Sequence, residues 1–584
     1  MSKSIDVVNL ISTLLDNGKY KEALNVPNEE RLAESFKDNC WDIISVIIGK
    51  IQDDTVVIKP SLYGTCEQLL TIISEKSAPE EALLEFIEQI ELAKNDAQFG
   101  LILPSLQDLL RRLSLKRGRS LEWCLNSIST YIEHIPIPEH HLEGQERLLM
   151  DSDPNFRRIT KVYSLLPSFY RYFITELNTA APSNEKTKHI LTAFLISLLG
   201  KPMVFIDLDP QTNKQSEARK SCSTIVQDIC LMEKDVFKFL AHVEICYKES
   251  KNPTSRDSND DEKSPYEHRE KINMTTLSSF FYAALSGHFA LPDLAIPQVY
   301  SAHYVHHNVM LCVVHLLSFV EYSPLAKGMA LCEAIFYNIT SPLSQQLLTT
   351  VHFDMCKGLV NVAIYSSYES LRKRSVALIG SHINKFDYKG RCALVQYLIK
   401  ISNHSGMIGY AITLYKNSIN EAFKEPRLDE CFTGPQFSNM LKKICFLPHG
   451  AESDLVELAD QIITSLNFLR YLTIKDTENL TGIHSCFPYV EDTYLEQLRL
   501  GLNMSKAHYE VKLKDIEEGK NLPEEKLNVS INVGGNVLDN IPKENKKEII
   551  CSALNAFHLI EGLIARLSEC INVSKMQGLK MNCD

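Results

Sequence analysis

IICSALNAFHLIEGLIARL, residues 549–567, sets Ile550, Leu554, Phe557, Ile560, Ile564 and Leu567 three or four positions apart. That spacing brings a side chain back to the same helix face at each turn, so the stretch predicts an α-helix with one apolar stripe. One such helix cannot hide its stripe alone. Helices of the same kind recur along the chain: 80–94 carries Leu83, Ile87 and Ile90 behind Pro79, and 454–472 carries Leu455, Ala459, Ile462, Leu466 and Leu469. Pro79 suits a first helical turn, where its missing N–H leaves no bond unmade. Prolines at 60, 79, 104 and 136 punctuate the first part at gaps of 19, 25 and 32 residues, room for one helix and its turn each. Helix after helix without a strict sequence period predicts an all-α, HEAT-like degenerate helical-repeat solenoid. The one strand-like exception is 527–533, where Leu527, Val529, Ile531 and Val533 alternate with polar residues before Gly534-Gly535, so a short β-hairpin is expected near 527–540.

The stretch KESKNPTSRDSNDDEKSPYEHREK, 248–271, has no aliphatic side chain and carries six basic and seven acidic ones. It cannot bury itself. The expected organisation is a helical-repeat region over 1–247, a charged flexible linker or loop over 248–271, and a partner-binding helical-repeat region over 272–584. The same stretch could equally be a long loop inside one continuous solenoid. A second polar segment, 513–526, reads as a surface loop.

With 584 residues, 45% hydrophobic and 23% charged, the chain is long and apolar enough for a large core. Its net charge of −12 and pI near 5.9 oppose binding to polyphosphate or anionic lipid, so neither nucleic acid nor membrane is an expected partner. The first twenty residues lack the layout of a signal peptide. The longest apolar run, Ile190 to Leu199, is half of what a membrane-spanning helix needs. Sixteen cysteines without C-x-x-C spacing read as free, buried thiols, and a cytoplasmic location, extending to the nucleus, is expected.

Motifs for chemistry are absent. There is no G-x-x-x-x-G-K-[ST] or G-x-G-x-x-G phosphate cradle, no G-x-S-x-G nucleophile elbow and no H-E-x-x-H zinc helix. His303 and His307 stand at i, i+4, but no acidic partner follows them, and ordinary helix histidines are the better reading. Carboxylate pairs such as Glu80-Glu81 suit first helical turns. No cofactor, no metal and no catalytic residue is expected. Charge is more informative: between Arg372 and Lys443 there are 12 basic side chains against five acidic ones, a local +7 in an otherwise acidic chain. Such a segment is either a set of solvated helix faces or a surface that attracts an acidic protein.

Several stretches of the second half resemble the glomulin family. They include Leu371-Arg372-Lys373-Arg374-Ser375, Ser402-Asn403-His404-Ser405-Gly406 and Phe432-Thr433-Gly434-Pro435-Gln436. Phe446 to Leu455, Ser465 to Asp476 and Gly501 to Glu510 continue them, in the family's order and spacing. In the first half the similarity is mostly one of pattern, best over Pro79 to Leu113. The resemblance implies a non-enzymatic regulator of cullin-RING (SCF-type) ubiquitin ligases. In that family the C-terminal helical region grips the RING domain of the RING-box subunit and masks the docking surface of the ubiquitin-conjugating enzyme. The RING-box subunit and its cullin are the implied partners, and an FK506-binding immunophilin and a receptor tyrosine kinase are further ones. A general α-solenoid scaffold unrelated to ubiquitin is the alternative. Within the resembling stretches, Asn403, His404, Arg470, Lys475, Lys506, His508 and Tyr509 are the polar or amphipathic residues expected to be richest in partner contacts, since Arg and Tyr favour interfaces.

Overall fold

The computed structural model describes the chain except for residues 1–5, 114–116, 180–184, 211–215, 252–271, 293, 519–531, 534–535, 538–542 and 582–584. Helices follow one another as expected. They are α1 (Val7–Asp16), α2 (Tyr20–Asn25), α3 (Ala33–Asp38), α4 (Cys40–Gly49), α5 (Thr55–Ile58), α6 (Pro60–Lys76), α7 (Pro79–Glu91) and α8 (Asp96–Arg112). Then come α9 (Arg117–Glu133), α10 (Pro154–Thr179), α11 (Glu185–Ser197), α12 (Glu217–Met232), α13 (Leu240–Lys251), α14 (Met274–Leu285), α15 (Ala302–Leu316) and α16 (Tyr322–Asn338). The rest are α17 (Thr350–Tyr365), α18 (Glu369–Asn384), α19 (Tyr388–Ile401), α20 (Ser405–Ala422), α21 (Gly434–Ile444), α22 (Ala459–Lys475), α23 (Ile483–Val490), α24 (Glu496–Glu517) and α25 (Lys543–Met581). The fold is all-α, built from HEAT-like helical repeats. Asn95, Ser216, Asn273, Ser301 and Asp387 cap their helices by accepting a backbone N–H of the first turn. Pro60 and Pro79 open α6 and α7. Pro104, by contrast, sits inside α8. The proline ring crowds the carbonyl four residues back, which belongs here to Gly100, and burial of Leu101, Ile102, Leu103 and Leu106 around it holds the helix together.

The chain divides into two compact units, Met1–Ile335 and Phe336–Asp584. This corrects the division expected at 248–271: helices α14 and α15 pack with α11, α12 and α13 in the first unit. Residues 252–271 lie outside the described residues, and 248–251 are the last turn of α13. A polar insertion breaks no core, because loop closure becomes only slowly costlier with length. Inside the first unit, Lys327 of α16 is buried and donates to the carbonyls of Met203 (2.8 Å), Val204 (2.6 Å) and Ile206 (2.7 Å) and to Ser323 Oγ (3.2 Å). Burial pushes its pKa down to about 7, but three waiting carbonyls call for the three donors that only an ammonium has. The contact ties α16 to the turn that begins at cis-Pro202.

In the second unit the repeat geometry is explicit. Tyr410 Oη on α20 donates to the Val376 carbonyl on α18 (3.1 Å), and Tyr471 Oη on α22 donates to Asn420 Oδ1 on α20 (2.8 Å). A Cβ on Gly409 would stand 3.0 Å from Thr464 Oγ1, so α20 and α22 touch near their N-terminal ends as well. These helices therefore run parallel, with α19 and α21 as the returning layer. The last two, α24 and α25, run antiparallel: Arg499 donates to Ser568 Oγ (3.1 Å) and Lys547 pairs with Glu517 (2.9 Å). α25 has a stretch, Lys547–Val573, long and apolar enough to cross a bilayer by length and composition. Its Ile550, Phe557, Ile560, Ile564 and Leu567 form one face that is buried against α22 and α24, while a third of the stretch as a whole is buried. The expected hairpin is present as two short strands, β1 (Asn532–Val533) and β2 (Asn536–Val537), paired antiparallel; the rest of 527–531 lies outside the described residues.

His382 of α18 is fully buried between Phe336, stacked on its ring at 5.5 Å, and His352 of α17, whose Nδ1 lies 3.0 Å from His382 Nε2. Its other nitrogen is 3.3 Å from Cys356 Sγ. Burial, then the neighbouring His352, holds His382 well below the usual histidine pKa. Eleven of the free cysteines among the described residues, including Cys356, are buried, and burial pushes the thiols of Cys66, Cys222, Cys312 and Cys356 up to about 12.

Two outcomes are expected. Lys327→Met leaves three carbonyls without donors and should destabilise the first unit by about 2–4 kcal/mol. Denaturant melts combined with hydrogen exchange should show faster exchange around 203–206 while residues 336–584 stay unchanged. Because His382 is neutral when folded and titrates near 6.5 when unfolded, the second unit should keep full stability above that pH and lose it as pH falls, by up to about 1.4 kcal/mol per pH unit. Thermal melts from pH 7.5 to 5.5 would show this, and His382→Phe should flatten the slope.

Candidate functional site

The stretches that resemble a known family fall on α18 to α24, and the seven expected contact residues all lie in the second unit. Asn403 and His404 are exposed in the turn before α20. His404 is that helix's N-cap: its Nδ1 accepts the Met407 N–H at 3.4 Å. Arg470 is half-buried on α22 with its Nε buried and without a hydrogen-bond partner, and Lys475 is exposed at that helix's last position. Asp460 of α22 lies beside His404, since a Cβ on Gly406 would sit 3.1 Å from the His404 ring and 3.4 Å from Asp460 Oδ2. Arg470 is ten residues further along the same helix and Lys475 fifteen, so they stand roughly 15 and 22 Å from His404. These four residues do not form one patch.

Lys506, His508 and Tyr509 do come together on α24, though they face different ways. Lys506 forms an ion pair with Glu561 of α25, its side chain only 16% exposed. Tyr509 is half-buried with its ring edge-on to Phe557 of α25, centroids 5.4 Å apart, and Lys512 Nζ lies 5.5 Å from the Tyr509 ring. Burial, and then Asp454, raises the Tyr509 pKa. His508 is exposed, and partial burial together with Lys512 lowers its pKa. Two of the three expected contact residues thus fasten α24 to α25, and only His508 points outward.

What sequence reasoning missed is the outer side of the same helix. Leu500, Met504 and Val511 are 54%, 51% and 58% exposed. With exposed Ala507 they recur at spacings of three and four and form one stripe, flanked by His508, along roughly 17 Å of helix. Leu498 and Leu502 are buried on the opposite side. The helix thus carries two apolar stripes, one buried and one half-exposed on its outer side. The double stripe was available in the sequence as a signal. Among the described residues no group of three or more His, Cys, Asp or Glu side chains is placed to hold a metal ion.

Tyr509→Ala should remove the aromatic contact with Phe557 and weaken α24 against α25 by about 1–3 kcal/mol, read as faster hydrogen exchange in α24 and α25 alone. Lys506→Glu should do the same by charge repulsion with Glu561, and the double variant Lys506→Glu with Glu561→Lys should restore part of the protection.

Comparison with known proteins places the chain. It is 28% identical to human glomulin over 571 residues, covering 96% of this chain and 92% of that protein. It is 27% identical to mouse glomulin over 579 residues, with the same coverage. Among solved structures, a circular tandem repeat protein with novel repeat topology matches with a TM-score of 0.21 and 10% identity, covering 98% of both chains. Importin beta matches with a TM-score of 0.22 and 10% identity, over 98% of this chain and 69% of the other. A sequence model of the YAP/Alf4/glomulin family matches residues 36–538, so the chain belongs to the YAP/Alf4/glomulin family.

Proposed function

We propose that this chain is a non-catalytic regulator of cullin-RING ubiquitin ligases of the SCF type. Its C-terminal region would bind the RING domain of the RING-box subunit and mask the surface where the ubiquitin-conjugating enzyme docks. Membership of the family and a scaffold of packed helices point to a protein that acts by binding. The observation that carries the reading is the exposed stripe Leu500, Met504, Ala507 and Val511, set on a helix fastened from behind by Lys506–Glu561 and Tyr509–Phe557. A rigid apolar ridge rimmed by His508 suits the buried centre of an interface of about 800 Å² per partner. Masking of this kind needs no titrating or nucleophilic group. It needs only that the inhibitor and the conjugating enzyme compete for one face of the RING domain, in the cytoplasm or the nucleus where the ligases act.

The test is a pull-down with a purified cullin-bound RING-box subunit, paired with a ubiquitin-chain assay. The wild-type chain should bind and suppress chain formation. Leu500→Asp with Met504→Asp, at exposed positions that leave the fold intact, should weaken binding at least tenfold and relieve the suppression to match. Absence of binding by the wild-type chain at micromolar concentration would remove the reading.

A further inference from the structure

The second unit holds a second feature, none of whose lining residues lies on α24. Between α19 and α21 lies an open groove of about 970 Å³. The two helices run parallel along it: Lys389 at the start of α19 is 3.8 Å from Glu430, just before α21, and Gln396 one turn short of the end of α19 accepts from Lys443 Nζ at 3.4 Å. Lysines 389, 400, 442 and 443 line the groove, and no Asp or Glu does. The charge is not evenly spread. At the Lys389 end, Glu430 and the helix-capping Asp387 stand close by. At the other end, among the described residues, no carboxylate forms an ion pair with Lys400, Lys442 or Lys443. Lys442 Nζ lies 5.4 Å from the Tyr489 ring instead.

The rest of the lining narrows the occupant. Side-chain amides of Gln345, Gln396, Gln436 and Asn439 face the groove, and each can donate and accept at once, as a peptide unit requires. Between them the floor is apolar, with Cys392, Tyr415 and Met440 buried and Phe446 at the rim 56% exposed. The lining of α19 from Lys389 to Lys400 spans roughly 16 Å, the length of about five extended residues. A chain of net charge −12 resists a polyanion more strongly than a short segment with a few carboxylates.

We propose that the α19–α21 groove is a docking site for an extended acidic peptide segment of a partner protein. Its carboxylates lie at the Lys400, Lys442 and Lys443 end, its backbone on the Gln and Asn amides, and an apolar side chain on the floor beside Phe446. This gives part of the +7 segment a local purpose: three of its basic side chains stand where, among the described residues, no carboxylate forms an ion pair with them. The site is separate from the α24 ridge, so its occupant need not be the RING domain.

Fluorescence anisotropy of the full chain with a labelled, end-capped decapeptide of glutamates around a central leucine tests this. Binding should be in the micromolar range, should weaken on raising salt from 50 to 500 mM, and should fall at least tenfold for the same peptide with glutamine in place of glutamate. Lys400→Glu with Lys443→Glu should also cost at least tenfold. Lys373→Glu with Lys424→Glu, which removes the same charge from outside the groove, should change binding less than twofold. Equal losses in the two double variants, tighter binding of a single-stranded oligonucleotide than of the peptide, or no peptide binding at 100 µM would each overturn the proposal. The assay contains no RING-box protein, so either result leaves the ligase reading to its own experiment.

Discussion

An α-helix satisfies its own backbone but not its apolar side, and every feature of this chain follows from that asymmetry. A helix with one stripe must lie against neighbours. Helices with broad apolar faces, such as α8 with Phe99, Leu101, Ile102, Leu103 and Leu106 all buried, occupy the interior of their unit. The parallel placement of α18, α20 and α22 is the same rule applied three times, with polar links from Tyr410 and Tyr471 fixing the offset between successive helices. α24 packs one side against α25 and keeps its outer stripe exposed.

Burial of polar groups follows the same economy in both units. Lys327 is held in the first unit by carbonyls that would otherwise lack donors, and His382 in the second by a ring nitrogen and a thiol. Each is tolerated because its hydrogen bonds are made inside the core. Lys327 also ties α16 to residues 203–206, far earlier in the chain, across an intervening polar segment that the sequence offers as a natural break.

Helix existence was legible from spacing alone. The stripe quoted from 549–567 is buried at Ile550, Leu554, Phe557, Ile560, Ile564 and Leu567, and the helix only extends further at both ends. Pro79 as a first-turn residue was legible for the same local reason. Pro104 was not, because the packing that keeps α8 intact around it is tertiary. The unit boundary was not legible either: composition marks where a chain cannot be buried, whereas a boundary depends on which helices meet. The contact residues show a third limit. Polarity marked Lys506 and Tyr509, but polarity does not tell a residue that meets a partner from one that meets the next helix, and both meet α25. The excess of basic residues could be counted in the sequence, whereas its gathering at one end of the α19–α21 groove depends on those helices lying parallel.

The buried thiols have a practical bearing of another kind. With pKa values near 12, Cys66, Cys222, Cys312 and Cys356 carry about one thiolate in 10⁵ molecules at neutral pH. They are chemically silent as long as the helices stay packed, and an oxidant or alkylating reagent finds them only when a helix opens. Because they are distributed over both units, each acts as a built-in gauge of the helix that covers it. The rate at which each thiol is alkylated, read peptide by peptide, would report the opening of α6, α12, α15 and α17 separately, without any label added to the chain.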